Sequence, residues 1–241
     1  MIVKEITHVG MVRDINEDSI LTFKNDEFYL LIVADGMGGH SGGEIASEIA
    51  VTSIKDFIEN SFSVYPNKEE LIREAILLAN KRIYEKSLND SDLKGMGTTI
   101  TISLILKNDV YIGHVGDSRA YLLKGEIMHQ ITEDHSYINE LLKKGAITEE
   151  EAKVHPMKNI ITRAVGTDRY IVIDTYEGSL NKGDTLIMCS DGLTRHVTDN
   201  EILEIVKSED NQVESLLNLA NARGGKDNIS IIVARKEDYD A

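Results

Sequence analysis

The chain has 241 residues, of which 41% are hydrophobic, so it is long enough to fold around a sizeable core. Its 41 acidic residues outnumber 26 basic ones and give a formal charge of −15, which would repel a phosphate backbone and excludes nucleic acid as an expected partner. A single cysteine excludes an internal disulfide framework and a zinc cluster built on cysteine spacing. No apolar run approaches the roughly 20 residues of a membrane segment. The first ten residues, MIVKEITHVG, lack the basic region and the apolar region that a secretory signal has. We therefore expect a cytoplasmic protein.

Apolar periodicity predicts two groups of strands with pairs of helices between and after them. In chain order we predict strands at 2–9, 18–24 and 28–34, helices at 43–60 and 68–87, strands at 97–106, 109–116, 119–123 and 126–131, an irregular region with one or two short helices at 135–160, strands at 171–177 and 184–189, helices at 199–207 and 211–222, and a strand at 228–235. Strands and helices do not alternate one by one, which disfavours a doubly wound parallel sheet. Two packed, mostly antiparallel sheets covered by helices fit better. With only two prolines and no Gly/Ser-rich linker, we expect one domain over residues 1–241.

The stretch YLLIVADGMGGHSGGE, residues 29–44, carries an apolar run directly into Asp35-Gly36. Taken alone, Asp-Gly is typical of a tight hairpin turn. The pattern recurs, however: Asp191-Gly192 ends the run DTLIMCSDG, Asp117 ends VYIGHVGD, and Asp227 precedes the strand pattern in GGKDNISIIV. The sequence thus places four carboxylates at the ends of buried strands.

If those strand ends converge, the four carboxylates repel one another unless a cation neutralises them. Oxygen ligands without a Cys/His set favour the hard ions Mg²⁺ and Mn²⁺ over zinc. Gly36 would let its own backbone approach such an ion closely, because it has no Cβ. The sequence therefore predicts a divalent metal site.

The segment RDINED, between the first two strand patterns, places Arg13 close to Glu17 and Asp18. It is interpretable as a solvated connector with a surface ion pair, which contributes little to stability. The functional alternative is that Glu17 and Asp18 hold metal-bound waters and that Arg13 forks onto a phosphate.

Eight motifs now occur in one order: RxxNED, VADGMGGHxxGE, GMGTT, VGDSRAY, TEDHS, ITRAVG, SDGL and GKDNIS. In this respect the chain resembles a bacterial member of the type 2C, metal-dependent serine/threonine phosphatase family, over roughly residues 4–235. The resemblance implies an α+β fold, a four-layer αββα sandwich whose two central antiparallel sheets hold a binuclear Mg²⁺/Mn²⁺ centre at one edge. It also implies hydrolysis of phosphoserine and phosphothreonine in proteins.

The resemblance further assigns roles at the centre. Asp35 would bridge the two ions, the Gly36 carbonyl would bind one, and Asp191 and Asp227 would bind the other. A third ion would fall to Asp117 with Asp191. Asp18 would act through water, with Glu17 beside it, and Asn228 would support the site.

His40 is expected to be the general acid that protonates the leaving alkoxide, although it follows Asp35-Gly36 at a longer distance than in family members with a shorter loop. Its alternative role is to cap the next helix. Residues 136–162 would correspond to the family's flap, which borders the substrate groove. His135 is a candidate hydrogen-bonding residue near the site.

Two other readings of short motifs are open. CSDGLTR places Arg195 at the spacing from Cys189 that thiol phosphatases use, but Asp191 lies inside that loop and no basic residue adjoins the cysteine to lower its pKa. GMGGHS with Asp56 about 20 residues on is similar to a dinucleotide fingerprint, but Ser41 replaces the third glycine.

Two further functions belong to a different class. One is a non-catalytic relative that binds metal and phosphoproteins; the other is an acidic domain that binds divalent ions only for stability. The resemblance favours the enzyme and implies phosphoprotein substrates, a cognate serine/threonine kinase and a monomeric state.

Overall fold

The computed structural model describes residues 1–38 and 42–237, so His40 and its flanking residues lie outside the described part of the chain. Eleven strands, seven α-helices and one short 3-10 helix, Ser91–Leu93, lie within those ranges. The strands are β1 Ile2–His8, β2 Asp18–Lys24, β3 Tyr29–Met37, β4 Gly97–Thr98, β5 Ile100–Leu106, β6 Asp109–Val115, β7 Arg119–Lys124, β8 Ile127–Gln130, β9 Asp174–Ser179, β10 Thr185–Cys189 and β11 Ile229–Arg235. The helices are α1 Gly42–Ser61, α2 Lys68–Asn89, α3 Tyr137–Lys143, α4 Glu149–Val154, α5 Asp191–Thr194, α6 Asp199–Ser208 and α7 Gln212–Ala222.

The strands form two antiparallel sheets. The first sheet has the order β1-β11-β10-β7-β8, and the second has the order β2-β3-β5-β6-β9, with β4 paired to β3. Every strand pair in both sheets is antiparallel. The expected α+β fold with two antiparallel sheets and covering helices is confirmed.

Three apolar clusters hold these layers together. One lies between α1, α2 and the second sheet, and includes Ile54, Ile76 and Ile102. Another lies between the first sheet and the helices α5, α6 and α7. The third joins the facing sides of the two sheets, where Leu31 and Ile232 are fully buried. Burial of apolar side chains on both faces explains why the central strands read as continuous apolar runs.

Local capping sets where several helices begin. The side chain of Asn67 accepts a hydrogen bond from the backbone of Glu70 at the start of α2. Thr148 with Glu151 and Thr198 with Glu201 form reciprocal capping boxes at α4 and α6. These caps satisfy backbone N–H groups that would otherwise have no partner in the first turn.

Three predicted strands differ from those observed by more than one residue at an end or by an internal break. The strand predicted at 171–177 runs over Asp174–Ser179, because β9 takes its register from β6, which ends its pairing at His114 opposite Asp174. The strand predicted at 97–106 is broken at Thr99, whose backbone N–H donates instead to the carbonyl of Asp35 at 2.8 Å. The strand predicted at 28–34 continues to Met37, so Asp35-Gly36 lies within a strand and not at a hairpin turn.

Within residues 1–38 and 42–237, no helix combines the length and the apolar character needed to cross a bilayer.

Candidate metal and phosphate site

Antiparallel pairing brings the predicted strand-end carboxylates to one edge of the two sheets. Asp35 lies near the end of β3 and Asp117 follows β6, both from the second sheet. Asp191 follows β10 and Asp227 precedes β11, both from the first sheet. All four line one cavity of about 280 Å³, together with Arg13, Glu17 and Gly36. The expected convergence of sequence-distant acids is therefore present in the structure.

Asp18 lies behind this cavity and is buried. It is the direct antiparallel partner of Asp35 in the β2–β3 pair, so two carboxylates stand opposite each other across the strands. The hydroxyl of Ser190 donates to Asp18 Oδ2 at 2.8 Å. Like charges in directly opposite positions destabilise a sheet unless another group offsets them.

Burial raises the pKa values of these carboxyl groups. It raises the pKa of Asp18 to about 7, and it raises the pKa of Asp117 to about 8 with a further contribution from the charge of Asp191. The pKa of Asp35 is held well above its usual range by burial and by the charge of Asp18. Burial also raises the pKa values of Asp191 and Glu17. The cause is common to all five: the ionised forms lose water and face other acids.

The donor chemistry of the site fits a hard divalent cation. Three buried carboxylate oxygens, Glu17 Oε1, Asp18 Oδ1 and Asp191 Oδ1, have no hydrogen-bond partner among the described residues. A buried oxygen without a partner is costly, and a cation would satisfy it. The backbone at Gly36 leaves no room for a side chain, because a Cβ there would lie 2.1 Å from the Gly43 carbonyl oxygen and 2.4 Å from the Glu17 carbonyl oxygen.

The backbone around the acids is held by polar side chains from other elements. Asn228 donates to the carbonyls of Val9 and Ile15, both at 2.9 Å, and accepts from the backbone N–H of Glu17 at 2.8 Å. Asn228 thus ties the segment before β2 to the first sheet. Thr99, which we did not predict as a site residue, accepts from the Asp35 backbone at 3.0 Å.

Arg13 lies at the mouth of the cavity. Its guanidinium is 2.9 Å from Asp227 Oδ1, and about half of its side chain is exposed. Arg13 lines the cavity, and its guanidinium carries five N–H groups, so it has donors beyond those that the pair with Asp227 uses.

Arg195 is the main residue of the site that the sequence reasoning missed. Its guanidinium forms ion pairs with Asp191 and, at 3.1 Å, with Asp227. Among the residues described, no three acidic or histidine side chains are arranged as ligands around a single point. The signal that could have found Arg195 is its i,i+4 spacing from Asp191, which places an acid and a base on one face of a helical turn.

Residues 136–162 lie between β8 of the first sheet and β9 of the second sheet, and they contain α3 and α4. The ends of this segment are joined by hydrogen bonds from Tyr137 N to the Ile160 carbonyl at 2.9 Å and from Thr162 N to the His135 carbonyl at 2.8 Å. Asn159 and Ile161 of this segment line the acidic cavity. His135 Nδ1 accepts from the backbone of Gly116, next to Asp117, at 3.0 Å.

Cys189 is a fully buried member of the apolar cluster beneath α5 to α7. Burial raises the pKa of its thiol to about 12, which opposes formation of a thiolate at neutral pH.

Comparison with known proteins agrees with the geometry. The Protein phosphatase 2C family profile matches residues 11–230. The chain is 39% identical over 237 residues to the serine/threonine phosphatase stp of Listeria monocytogenes, covering 96% of this chain and 94% of that protein. It is similar to the crystal structure of the Mycobacterium tuberculosis serine/threonine phosphatase PstP/Ppp, with a TM-score of 0.89, 33% identity and 98% of each chain covered. A structure of the PstP catalytic domain in complex with two manganese ions matches with a TM-score of 0.86 and 32% identity, again covering 98% of each chain.

Proposed function

This chain belongs to the protein phosphatase 2C family of metal-dependent serine/threonine protein phosphatases, and from that premise we propose how its cavity carries out the reaction. The substrate is a phosphoserine or phosphothreonine side chain of another protein. The products are the free hydroxyl side chain and inorganic phosphate. The observation that carries the proposal is the convergence of the four strand-end acids and Arg13 in one cavity, with buried oxygens that have no partner among the described residues.

We assign two Mn²⁺ or Mg²⁺ ions, and a third, to the acidic residues. Asp35, the Gly36 carbonyl, Asp191 and Asp227 would hold the first two ions, with Asp35 shared between them. Asp117 with Asp191 would hold the third. The support for these roles is the position of each residue on the cavity wall.

Residues on the cavity wall and behind it would position this centre. Glu17, on the wall, and Asp18, behind it, would act through water, and each has one buried oxygen without a hydrogen-bond partner in the described part of the chain. Asn228 holds the loop that carries Glu17, and so fixes the distance between the two sheets at the site.

When bound, the divalent ions supply a water of lowered pKa as the nucleophile and offset charge on the phosphoryl group. Arg13 donates to the phosphoryl oxygens from the cavity mouth while it keeps its pair with Asp227. His40 gives a proton to the departing serine or threonine oxygen. With the divalent ions bound, the acidic side chains would be ionised, because the cations offset the repulsion between them, and no covalent bond to the protein would form.

The flap, residues 136–162, borders the peptide on either side of the phosphorylated residue. A groove of about 640 Å³ continues from the cavity beneath α3 and α4, and Asn159, Asp191 and Arg195 lie on the walls of both. A peptide chain in this groove would pass the phosphoryl site without entering the apolar core. We further propose a monomeric cytoplasmic enzyme that opposes a cognate serine/threonine kinase.

Burial of Cys189 and the high pKa of its thiol argue against the thiol-phosphatase alternative. Retention of all four strand-end carboxylates argues against a non-catalytic relative.

The direct test is a Mn²⁺-dependent assay with p-nitrophenyl phosphate and with a phosphothreonine peptide. We expect turnover of both with Mn²⁺ and none above background after treatment with EDTA. His40→Ala should lower turnover on the order of 10² to 10⁴-fold, the usual contribution of a general acid. Asp35→Asn should lower it further, because it removes a shared ligand.

Asp26→Asn is the matched control, since Asp26 is exposed at the opposite end of the β2–β3 hairpin. It should leave turnover unchanged. Full activity of the Asp35→Asn variant, or of the wild-type protein after removal of metal, would refute the proposal.

A further inference from the structure

Arg195 pairs with two of the carboxylates that we assign to the metal centre. It follows α5 directly, and its backbone N–H donates to the carbonyl of Asp191 at 2.9 Å. From there the guanidinium pairs with the Asp191 carboxylate through one nitrogen and with Asp227 Oδ2, at 3.1 Å, through another. One side chain therefore bridges the two carboxylates that we assign to the same ion.

A guanidinium between two carboxylates supplies positive charge where a metal ion would supply it. It offsets the repulsion between them and supplies directed donors to both, which a planar fork does better than a lysine ammonium. About one third of the Arg195 side chain is exposed, so the ion pairs are partly accessible to solvent.

Arg13 does not have the same position. Within residues 1–38 and 42–237 its one ion pair is with Asp227, it lies in a loop, and its side chain is more exposed than that of Arg195. Loss of the half-exposed Arg13 pair would change the free energy of metal binding little. Arg195 would have to give up two ion pairs that are less exposed to solvent.

We propose that Arg195 is a built-in competitor of the divalent ions for Asp191 and Asp227, and that metal binding displaces its guanidinium toward the neighbouring groove. This inference rests on the proposed metal centre. The groove offers the space for the movement, because Arg195 lies on its wall as well as on that of the acidic cavity. Arg195 therefore weakens metal binding and stabilises the protein when metal is scarce.

The test is isothermal titration of metal-stripped protein with MnCl₂, paired with thermal unfolding in EDTA. Arg195→Gln should bind Mn²⁺ about 10- to 100-fold more tightly, the range by which one charge-assisted hydrogen bond changes an equilibrium. The same variant should unfold at a lower temperature in EDTA. Arg195→Lys keeps the charge without the fork, and should bind Mn²⁺ at least about threefold more tightly than the wild-type protein.

Lys226→Gln is the control for a general effect of charge, because Lys226 lines the groove. It removes one positive charge and leaves the Arg195 pairs in place. Its effect on Mn²⁺ affinity should be smaller than that of Arg195→Gln and should vanish at about 1 M salt, where exposed charges are screened.

Unchanged or weaker Mn²⁺ binding by both Arg195 variants would overturn the inference and leave the metal centre intact. Absence of Mn²⁺ binding in the wild-type protein and in both variants would overturn the metal centre itself. If Arg195→Gln does not fold, the Arg195→Lys affinity decides the question.

Discussion

Replacement of Asp18 by asparagine should stabilise the metal-stripped protein while it weakens metal binding. Asp18 is buried, stands opposite Asp35 across two strands, and has one oxygen without a partner in the part of the chain described. Without a cation, its negative charge opposes folding. Asparagine has nearly the same shape and keeps an acceptor for the Ser190 hydroxyl. Its amide NH₂ group also donates hydrogen bonds to neighbouring carboxylates.

The expected magnitude follows from the pKa of Asp18. Burial raises that pKa from 3.8 to about 7, and at about 1.4 kcal/mol per pKa unit this corresponds to an upper limit of roughly 4 kcal/mol. Burial of the amide and shared titration with neighbouring acids offset part of this. We expect a net gain of about 2 kcal/mol at pH 8, or about 4–8 °C in Tm for a chain of this size.

The pH dependence gives the sign of the effect. Because the folded-state pKa of Asp18 is raised, its favourable contribution is full below about pH 4 and is lost as the pH rises through 7. The wild-type protein in EDTA should therefore lose stability from pH 5 to pH 8, and Asp18→Asn should lose less. The advantage of the variant should grow over that interval.

Urea denaturation in EDTA at pH 5, 6, 7 and 8 measures this difference. The matched control is Asp184→Asn, another buried aspartate, whose Oδ2 accepts from the Asn181 backbone at 2.8 Å. That variant should be destabilised or neutral. If Asp18→Asn proves less stable than the wild-type protein in EDTA at pH 8, the account of uncompensated charge at this site is wrong.

With excess Mn²⁺ the wild-type protein should be more stable than Asp18→Asn, because ligand binding to the folded state stabilises the protein that binds more tightly.

Two further predictions concern residues that support the site or merely adjoin it. Asn228→Ala removes three hydrogen bonds and leaves backbone groups of Val9, Ile15 and Glu17 without that partner. The variant should have a free energy of unfolding about 2–4 kcal/mol lower, measured by urea denaturation. It should also bind Mn²⁺ more weakly, measured by titration calorimetry. Normal metal affinity in this variant would show that the loop does not position the centre. Cys189→Ala should cost about 1–2 kcal/mol through the lost buried sulfur but retain Mn²⁺-dependent turnover of p-nitrophenyl phosphate. Loss of turnover in the folded Cys189→Ala protein would revive the thiol mechanism.

The order and type of the long elements could be predicted from the sequence, and the reason is local. Apolar residues recur at helical spacing around Ile54, and in a second segment around Ile76. Residues 28–34 form an apolar run that is too short for a helix of ordinary length. The boundaries were less accessible. The start of β9 at Asp174 depends on where β6 offers a partner, and the break at Thr99 depends on a hydrogen bond to Asp35, 64 residues earlier.

The sequence by itself determined which residues have the chemistry for a metal centre, because each strand-end acid and each glycine beside it belongs to a short local pattern. Only the tertiary structure decided what those acids contact. Asp18 faces Asp35, Asn228 reaches across to the segment before β2, and Arg195 bridges Asp191 and Asp227. A charged side chain can pair with solvent, with an ion or with another side chain, and that choice depends on distances through space that no local pattern records.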